Sequence, residues 1–186
     1  VKMSRGESAY LIETRDSFLA HVEEGLGTKN LVADAMYART GKLYYYNIAI
    51  DTVGMITNDI VTLGALPLSV AMHLAAGDSS WFNNERRCHS LIEGWKKACM
   101  LARCAWGGGE TPTLKDIVMP EAIVLSGSAI GIVNPKERLI TAENIQHGDV
   151  IVFIESSGIH ANGLTMARKI ADKLRNGYLA RLSDGR

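Results

Sequence analysis

Apolar residues recur at two different periods along this chain, and the two periods predict a mixture of strands and helices. Short apolar runs that stop at glycine or charged residues predict strands at 17–22, 68–76, 122–133 and 149–154. Apolar residues spaced three and four apart predict helices at about 51–63, 81–105 and from 162 onward, and residues near 30–39 are expected to form a short helix that ends at Gly41. Because the two kinds of element alternate, the sequence predicts an α/β (α+β) protein.

The predicted helix at 51–63 separates its residues into two faces. Its apolar side carries Val53, Ile56, Ile60 and Leu63, and its opposite side carries Asp51, Asn58 and Thr62, with Asp59 about a quarter turn away. A polar face of this kind is usually only a solvated surface. It becomes a candidate magnesium site if neighbouring turns bind phosphate, because Mg²⁺ prefers carboxylate oxygens.

The composition is that of an ordinary globular protein. The chain has 186 residues, of which 47% are hydrophobic and 22% charged, enough for one generous domain or for one domain and the start of another. Twenty basic residues balance twenty acidic ones, which argues against a nucleic-acid partner. No apolar run approaches the roughly 20 residues that span a bilayer, so we expect no membrane insertion.

Three cysteines occur without a C-x-x-C spacing, which favours neither a disulfide framework nor a zinc site. A reducing, cytoplasmic location therefore fits best. Cys88 and Cys99 lie in the predicted helix at 81–105, where a free thiol usually acts as a small apolar side chain. Gly107, Gly108 and Gly109 are expected to terminate that helix.

The first of three glycine-rich turns is Glu24-Gly25-Leu26-Gly27-Thr28-Lys29, which follows a predicted strand. Its glycines allow backbone N–H groups to approach an anion, and Lys29 adds a positive charge. The turn resembles a P-loop only superficially, because the first glycine of G-x-x-x-x-G-K-S/T is absent. A solvated turn that ends in a surface lysine explains the pattern equally well.

The two other turns also combine glycine with polar groups. Gly108-Gly109-Glu110-Thr111 suits a magnesium ion beside phosphates, although a helix C-cap with an exposed glutamate would look the same. Residues 156–163 read Ser-Ser-Gly-Ile-His-Ala-Asn-Gly and precede the last predicted helix, whose free N–H groups favour phosphate. Asn162 alone is explained as the N-cap, but capping does not explain the whole segment.

Taken together, these motifs resemble the phosphoribosylformylglycinamidine cyclo-ligase (aminoimidazole ribonucleotide synthetase) family over about residues 17–175. The motifs are E-G-L-G-T-K, I-D-T-V-G-M-I-T-N-D-I-V-T-L-G-A-L-P-L, G-G-E-T and S-S-G-I-H-A-N-G-L-T-M-A-R-K-I. The second and fourth are the most specific. G-G-E-T favours the cyclo-ligase over its superfamily relatives thiamine-monophosphate kinase, selenide water dikinase and the hydrogenase-maturation protein.

The resemblance implies ATP-dependent ring closure of formylglycinamidine ribonucleotide in purine biosynthesis, with ATP and Mg²⁺ as cofactors. In the family mechanism, phosphoryl transfer activates the formyl oxygen, the amidine nitrogen attacks that carbon, and phosphate leaves. The implied catalytic residues are His160 and Lys29, and the metal candidates are Asp51, Asp59 and Glu110. The implied nucleotide-binding residues are Glu24, Gly25, Gly27, Thr28, Lys29, Asn58, Asp59, Gly108, Gly109, Glu110, Ser157 and Asn162.

The family fold pairs an amino-terminal α/β domain, in which a mixed sheet packs on helices, with a larger second domain. The resemblance therefore implies an ATP-binding and dimerisation domain at 1–145 and the start of a truncated second domain at 146–186. In the family, the amino-terminal sheets of two subunits close a barrel, so a homodimer is implied as well.

Several positions depart from the family pattern. Glu24 replaces an aspartate, Pro112-Thr113 interrupts the acidic loop after G-G-E-T, and an aspartate expected after G-A-x-P-L is replaced around His73. The glycine-rich segment expected upstream of the first motif is not evident at residues 3–7. With nearly all of the second domain absent, these 186 residues alone are not expected to turn over substrate.

Two alternative functions stay open from the sequence. One is a superfamily kinase or dikinase that phosphorylates another small acceptor. The other is a non-catalytic nucleotide-binding or dimerisation module that keeps the scaffold without the chemistry.

Overall fold

The computed structural model describes residues 1–181 and contains a five-stranded mixed sheet. Its strands are β1 (Tyr10–Glu13), β2 (Phe18–Gly25), β3 (Leu66–Ala76), β4 (Ala105–Glu110) and β5 (Ile123–Val133). The spatial order is β1-β2-β5-β3-β4. Neighbouring strands are antiparallel except β3 and β4, which are parallel. The α/β class and the mixed sheet are confirmed.

Four α-helices accompany the sheet in the described residues. They are α1 (Lys29–Thr40), α2 (Tyr45–Val61), α3 (Glu85–Leu101) and α4 (Leu164–Ala171). Short 3₁₀ turns occur at Lys2–Ser4, Ser79–Asn83, Lys136–Arg138, Ala142–Asn144 and Gly177–Leu179. Helix α1 ends as its sequence predicts, because Gly41 adopts a left-handed φ of 70° and its N–H bonds the carbonyl of Tyr37. None of the described helices is both long and apolar enough to cross a bilayer.

The core lies between helix α2 and one face of the sheet. The predicted apolar side of α2 is confirmed, since Val53, Ile56, Ile60 and Leu63 are at most 1% exposed. Helix α2 comes close to β5 at a glycine: a Cβ on Gly131 would lie 2.5 Å from the Ile60 Cγ2 atom. Helix α3 packs beside α2 and buries Leu91 and Trp95, and the Trp95 ring reaches the sheet, where a Cβ on Gly127 would lie 3.4 Å from it.

A polar cluster joins α1 to the other two long helices. The Tyr45 hydroxyl donates to the Asp34 carboxylate at 2.9 Å, and the Arg87 guanidinium lies 3.9 Å from the same carboxylate. Arg87 also stacks 4.1 Å from the Trp81 ring. Burial raises the pKa of Asp34 above its ordinary value, and burial next to Asp34 raises the pKa of Tyr45.

The opposite face of the sheet carries no helix among residues 1–181. On β2 the side chains alternate, so that Ala20 and Val22 are buried whereas His21 and Glu23 are exposed. The prediction that residues 68–76 form a buried strand is therefore correct for one side of β3 only. The open face carries a row of apolar side chains: Tyr10, Ile12, Leu19, Leu66, Ile130 and Ile132.

Two predicted helices have different bounds in the structure. Helix α2 begins at Tyr45 rather than near Asp51. The predicted helix at 81–105 is divided into a 3₁₀ turn and α3, because the Asn84 side chain accepts from the Arg87 N–H and starts a new helix. It ends at Leu101, where Arg103 has a φ of 55° and the Cys104 N–H bonds the Cys99 carbonyl.

The prediction that the three glycines terminate this helix is wrong, because Gly107, Gly108 and Gly109 lie within β4. They pair with β3 at very short range: a Cβ on Gly109 would lie 2.1 Å from the Met72 carbonyl oxygen. The glycines thus allow an edge strand to approach β3 closely, and the helix has already ended before them.

The strand predicted at 149–154 is also wrong. Residues 149–154 have no regular structure, and five consecutive apolar residues, Val150–Ile154, are 78–90% exposed. A strand needs a neighbour to satisfy its backbone groups, and the described residues provide none for this segment. Conversely, β1 was not predicted, because four residues with a single buried side chain give little periodic signal.

Cys88, Cys99 and Cys104 are all free thiols, as predicted. Burial raises the pKa of each thiol, and the pKa of Cys99 rises to about 12. A neutral, buried thiol of this kind acts as an apolar side chain.

We predict opposite effects on stability from alanine at two helical glycines. A Cβ on Gly94 would lie 2.3 Å from the Tyr46 carbonyl oxygen, so Gly94→Ala should separate α3 from α2 and destabilise the fold by about 1–3 kcal/mol. Gly54 has open space around its Cβ position, so Gly54→Ala should stabilise α2 by roughly 0.5–1 kcal/mol. Urea unfolding of both variants measures the difference. Equal effects would contradict the close packing of α2 on α3.

Candidate functional site

Lys29, the first residue of α1, contacts two other parts of the chain. Its ammonium forms an ion pair with the Asp51 carboxylate on α2 and donates to the His160 carbonyl oxygen at 2.6 Å. The two paired side chains are only 19% and 27% exposed, so water screens this pair less than a surface pair. Lys29 thus has acceptors for two of its three protons within the protein.

Residues 156–163 form the loop that Lys29 holds. Within the loop, the Ser156 hydroxyl lies 2.9 Å from His160 Nε2 and 2.6 Å from the Gly158 carbonyl oxygen. The interpretation of Asn162 as N-cap is wrong, because Gly163 is the N-cap of α4 and no side chain caps that helix. The Asn162 amide is consequently free to line a cavity.

An acidic cavity of about 420 Å³ opens between α2 and this loop. Its polar lining consists of Asp51, Asn58, Asp59, His160 and Asn162. The Glu24 carboxyl group, at the end of β2, lies within hydrogen-bonding reach of Asp59. Burial, followed by the nearby Asp59 carboxylate, raises the pKa of Glu24 above its ordinary value.

Two further cavities adjoin the acidic cavity. A turn cavity of about 210 Å³ is lined by Gly25, Leu26, Gly27 and Thr28 together with residues 161–165. A helix cavity of about 480 Å³ lies between α1 and α2, with mainly apolar walls and with Lys29 and Asp51 in its lining. Residues Asp51, Asn162 and Leu164 each line two of the three cavities, so the cavities form one continuous depression.

The structure does not bring the G-G-E-T residues into this depression. Glu110 ends β4, in register with His73 on β3, and β4 lies three strand intervals from β2, about 14 Å at the usual spacing. Gly109 and Glu110 line a separate cavity of about 270 Å³ on the open face, with Glu23 and His73. His73 Nδ1 lies 3.2 Å from the Ser126 hydroxyl.

The site residues named from the sequence therefore fall into three groups. Those that line the depression are Gly25, Gly27, Thr28, Lys29, Asp51, Asn58, Asp59, His160 and Asn162, and Glu24 lies next to them beside Asp59. Glu110, Gly108 and Gly109 lie on β4. Ser157 is exposed and, among residues 1–181, its hydroxyl has no hydrogen-bond partner. Sequence reasoning named Ser157 rather than its neighbour Ser156, which contacts His160. It also missed the apolar helix cavity, for which no local motif exists.

The carboxylates fit a magnesium ion only in part. Among residues 1–181, no three His, Cys, Asp or Glu side chains are grouped so that they could hold a metal by themselves. Asp51 is already paired with Lys29, which leaves Glu24 and Asp59 as the two adjacent carboxyl groups. This number fits Mg²⁺ bound with phosphates and water, because Mg²⁺ commonly takes one or two carboxylates in such sites.

Comparison with known families gives a match over most of the chain. The family model of the AIR synthase related protein, N-terminal domain, matches residues 6–133. A phosphoribosylformylglycinamidine cyclo-ligase from Pyrococcus furiosus is 39% identical over 165 residues, which cover 89% of this chain and 46% of that protein. The cyclo-ligase from Thermococcus kodakarensis is 38% identical over 165 residues, which again cover 89% of this chain and 46% of that protein. The chain thus spans about half the length of these relatives.

Solved structures share the fold at much lower identity. The protein tt0281 from Thermus thermophilus superposes with a TM-score of 0.55 at 14% identity, covering 70% of this chain and 38% of the other. The structure described as AaThiL complexed with AMPPCP and TMP gives a TM-score of 0.50 at 18% identity, covering 69% and 37%. At such identities the likeness concerns the fold alone.

We predict that Glu24→Gln stabilises the fold increasingly as the pH rises. The raised pKa means that folded Glu24 holds its proton more tightly than unfolded Glu24. Its stabilising contribution is therefore complete below the ordinary pKa of 4.5 and is lost as the pH rises through the raised value. The free energy of unfolding, measured from pH 4 to pH 8, should favour the variant most at the upper end.

The matched control is Glu23→Gln, since Glu23 is the neighbouring glutamate on the opposite face of β2. That variant should follow the wild-type pH profile. A profile for Glu24→Gln that parallels the wild type throughout would contradict the raised pKa of Glu24, whose main cause is burial.

Proposed function

Because the chain belongs to the AIR synthase related protein family through its N-terminal domain, we propose that it is part of an ATP-dependent cyclo-ligase. The reaction is ring closure of formylglycinamidine ribonucleotide to aminoimidazole ribonucleotide, a step of purine biosynthesis. The observation that carries this proposal is the 36–39% identity to proteins named phosphoribosylformylglycinamidine cyclo-ligase over 84–89% of the chain. A complete active site is proposed only for the longer protein that these relatives represent.

ATP binds in the depression formed by the three cavities. The glycine turn at the end of β2 offers backbone N–H groups and the loop at 156–163 offers an amide, both suited to phosphate oxygens. The related fold of AaThiL holds AMPPCP, an analogue of ATP, which supports a nucleotide here. Lys29 contributes one free proton donor and positive charge at the point where the acidic cavity and the helix cavity meet.

Glu24 and Asp59 hold Mg²⁺ in this proposal, with Asn58 beside them. When bound, the ion would neutralise phosphate charge during phosphoryl transfer. Asp51 has a different role, since it is the partner of the Lys29 ammonium and keeps it directed toward the loop. Glu110, which lies on β4, would reach the nucleotide only across the open face of the sheet.

His160 is the proton carrier of the ring-closing step. Its carbonyl is tied to Lys29 and its ring to Ser156, so the imidazole has a defined position beside the acidic cavity. The attacking nitrogen loses a proton as the ring closes, and an unprotonated imidazole nitrogen can accept it. The walls of the helix cavity offer apolar surface to an uncharged part of a ligand.

We predict that Asp59→Asn weakens binding of Mg-ATP by roughly tenfold or more, about 1.4 kcal/mol, without loss of the fold. The substitution keeps the shape of the side chain and removes its charge, so the cation would lose one of its two carboxylate ligands. Isothermal titration with ATP and Mg²⁺ measures the affinity, and circular dichroism checks the fold.

Asp16→Asn is the control, because Asp16 is 85% exposed in the connection between β1 and β2 and lines none of the three cavities. Its affinity should equal that of the wild type. Absence of heat with the wild-type chain would overturn nucleotide binding in the depression, and unfolding of Asp59→Asn would show that Asp59 has a structural role instead.

The proposed assembly is a homodimer in which two sheets meet at their open faces and close a barrel. The open face supports this because Tyr10, Ile12, Leu66 and Ile130 are 46–60% exposed on a single surface. Burial of such a surface against a second copy removes apolar area from water and covers sheet edges.

We predict that Ile130→Lys converts the dimer to a monomer, because the ammonium would be buried unpaired at the interface. Ile92→Lys is the control: Ile92 is 45% exposed, like Ile130 at 46%, but it lies on α3 on the other side of the molecule. Sedimentation velocity of the two variants and the wild type reports the mass. A monomeric wild type at micromolar concentration would contradict the barrel.

Residues 146–186 begin a second domain in this proposal, and residues 1–145 form the ATP-binding and dimerisation domain. The five exposed apolar residues at 150–154 support the boundary, since such a run is expected to be covered by further chain. Residues 182–186 of this segment lie outside the described residues. The three free thiols fit a cytoplasmic enzyme.

A further inference from the structure

The side chain of Ser156 makes three hydrogen bonds in the loop at 156–163. Its oxygen lies 2.6 Å from the Gly158 carbonyl oxygen, 3.3 Å from the Gly158 backbone nitrogen and 2.9 Å from His160 Nε2. We propose that Ser156 is a positioning residue that fixes His160 in the tautomer with its proton on Nε2. The unprotonated Nδ1 is then the ring atom that accepts a proton.

The tautomer follows from counting protons on the serine. Two oxygen atoms at 2.6 Å need a proton between them, and the Gly158 carbonyl has none to give. The single hydroxyl proton of Ser156 therefore points to Gly158. The serine oxygen can then accept two hydrogen bonds through its two lone pairs. One comes from the Gly158 N–H and the other from His160 Nε2, so Nε2 is the donor.

The loop backbone maintains this arrangement. Gly158 has a φ of 148°, a backbone conformation that residues other than glycine rarely adopt. The turn at this residue places its carbonyl and its N–H next to the Ser156 oxygen. The Lys29 ammonium fixes the other end of the same residue through the His160 carbonyl. The imidazole is thus held at its ring and at its backbone, with the Nδ1 edge left for a ligand.

The inference rests on the proposed function only for its chemical use. During ring closure the lone pair of the amidine nitrogen forms the new N–C bond, and the bond from that carbon to the phosphorylated oxygen breaks as phosphate leaves with the bonding pair. The bonding pair of that nitrogen's N–H returns to nitrogen as the proton passes to the Nδ1 lone pair, which gives an imidazolium. Because Nε2–H already bonds Ser156, the positive charge forms on a ring whose other proton has a partner.

Ring nitrogen NMR tests the tautomer directly. In the ¹⁵N-labelled full chain at a pH where the imidazoles are neutral, long-range ¹H–¹⁵N correlation should show His160 with a protonated Nε2 and an unprotonated Nδ1. The sequence has five histidines, and His160→Gln assigns the signal by its loss. Ser156→Ala should move both His160 nitrogen shifts toward averaged values, and Ser156→Thr, which keeps a hydroxyl, should restore the wild-type shifts.

Ser157→Ala is the matched control for this spectrum, since among the described residues the His160 ring is hydrogen-bonded to Ser156 and not to the adjacent serine. It should leave the His160 shifts unchanged. A wild-type His160 protonated on Nδ1 would overturn the inference, and so would a Ser156→Ala spectrum identical to the wild type. Neither result depends on nucleotide: failure of Mg-ATP to bind would contradict the proposed function and leave this inference standing.

Discussion

The candidate site depends on the contacts that the Lys29 ammonium makes. It joins the start of α1 to Asp51 on α2 and to the carbonyl of His160, a residue 131 positions further along the chain. A lysine can serve several acceptors at once, because its three protons point in different directions. Without it, the Asp51 carboxylate would lose its partner, and the loop at 156–163 would keep the packing of the buried Ala161 but lose its polar attachment to the helices.

The pairing of Lys29 also determines the electrostatics of the site. Since Asp51 neutralises Lys29, the excess negative charge of the depression resides on Glu24 and Asp59. The pKa of Glu24 is raised because the group is partly buried and because the Asp59 carboxylate repels its charge. Two neighbouring carboxyl groups held at a cost in stability are the observation that supports the proposed Mg²⁺ site.

Alternation along the strands separates this site from the open face of the sheet. On β2, Glu24 lies on the helix side and Glu23 on the open side, although they are neighbours in sequence. The same alternation places the apolar row that includes Ile130 on the surface proposed for dimerisation. Consequently the two proposed functions use opposite faces of one sheet and do not compete for side chains.

The sequence alone determined the elements whose periodicity is strong. The apolar stripe of α2, strand β5 and the glycine that ends α1 were all predicted, because local patterns of burial and backbone conformation encode them. Only the tertiary structure decided the use of Gly107–Gly109 as a strand, the contact of Glu24 with Asp59 and the contact of Ser156 with His160. The strand forms only because β3 lies beside it, and the carboxyl pair forms only because β2 packs against α2. The Ser156 contact depends on how the loop folds back at Gly158. None of these three features therefore leaves a periodic signal in the sequence.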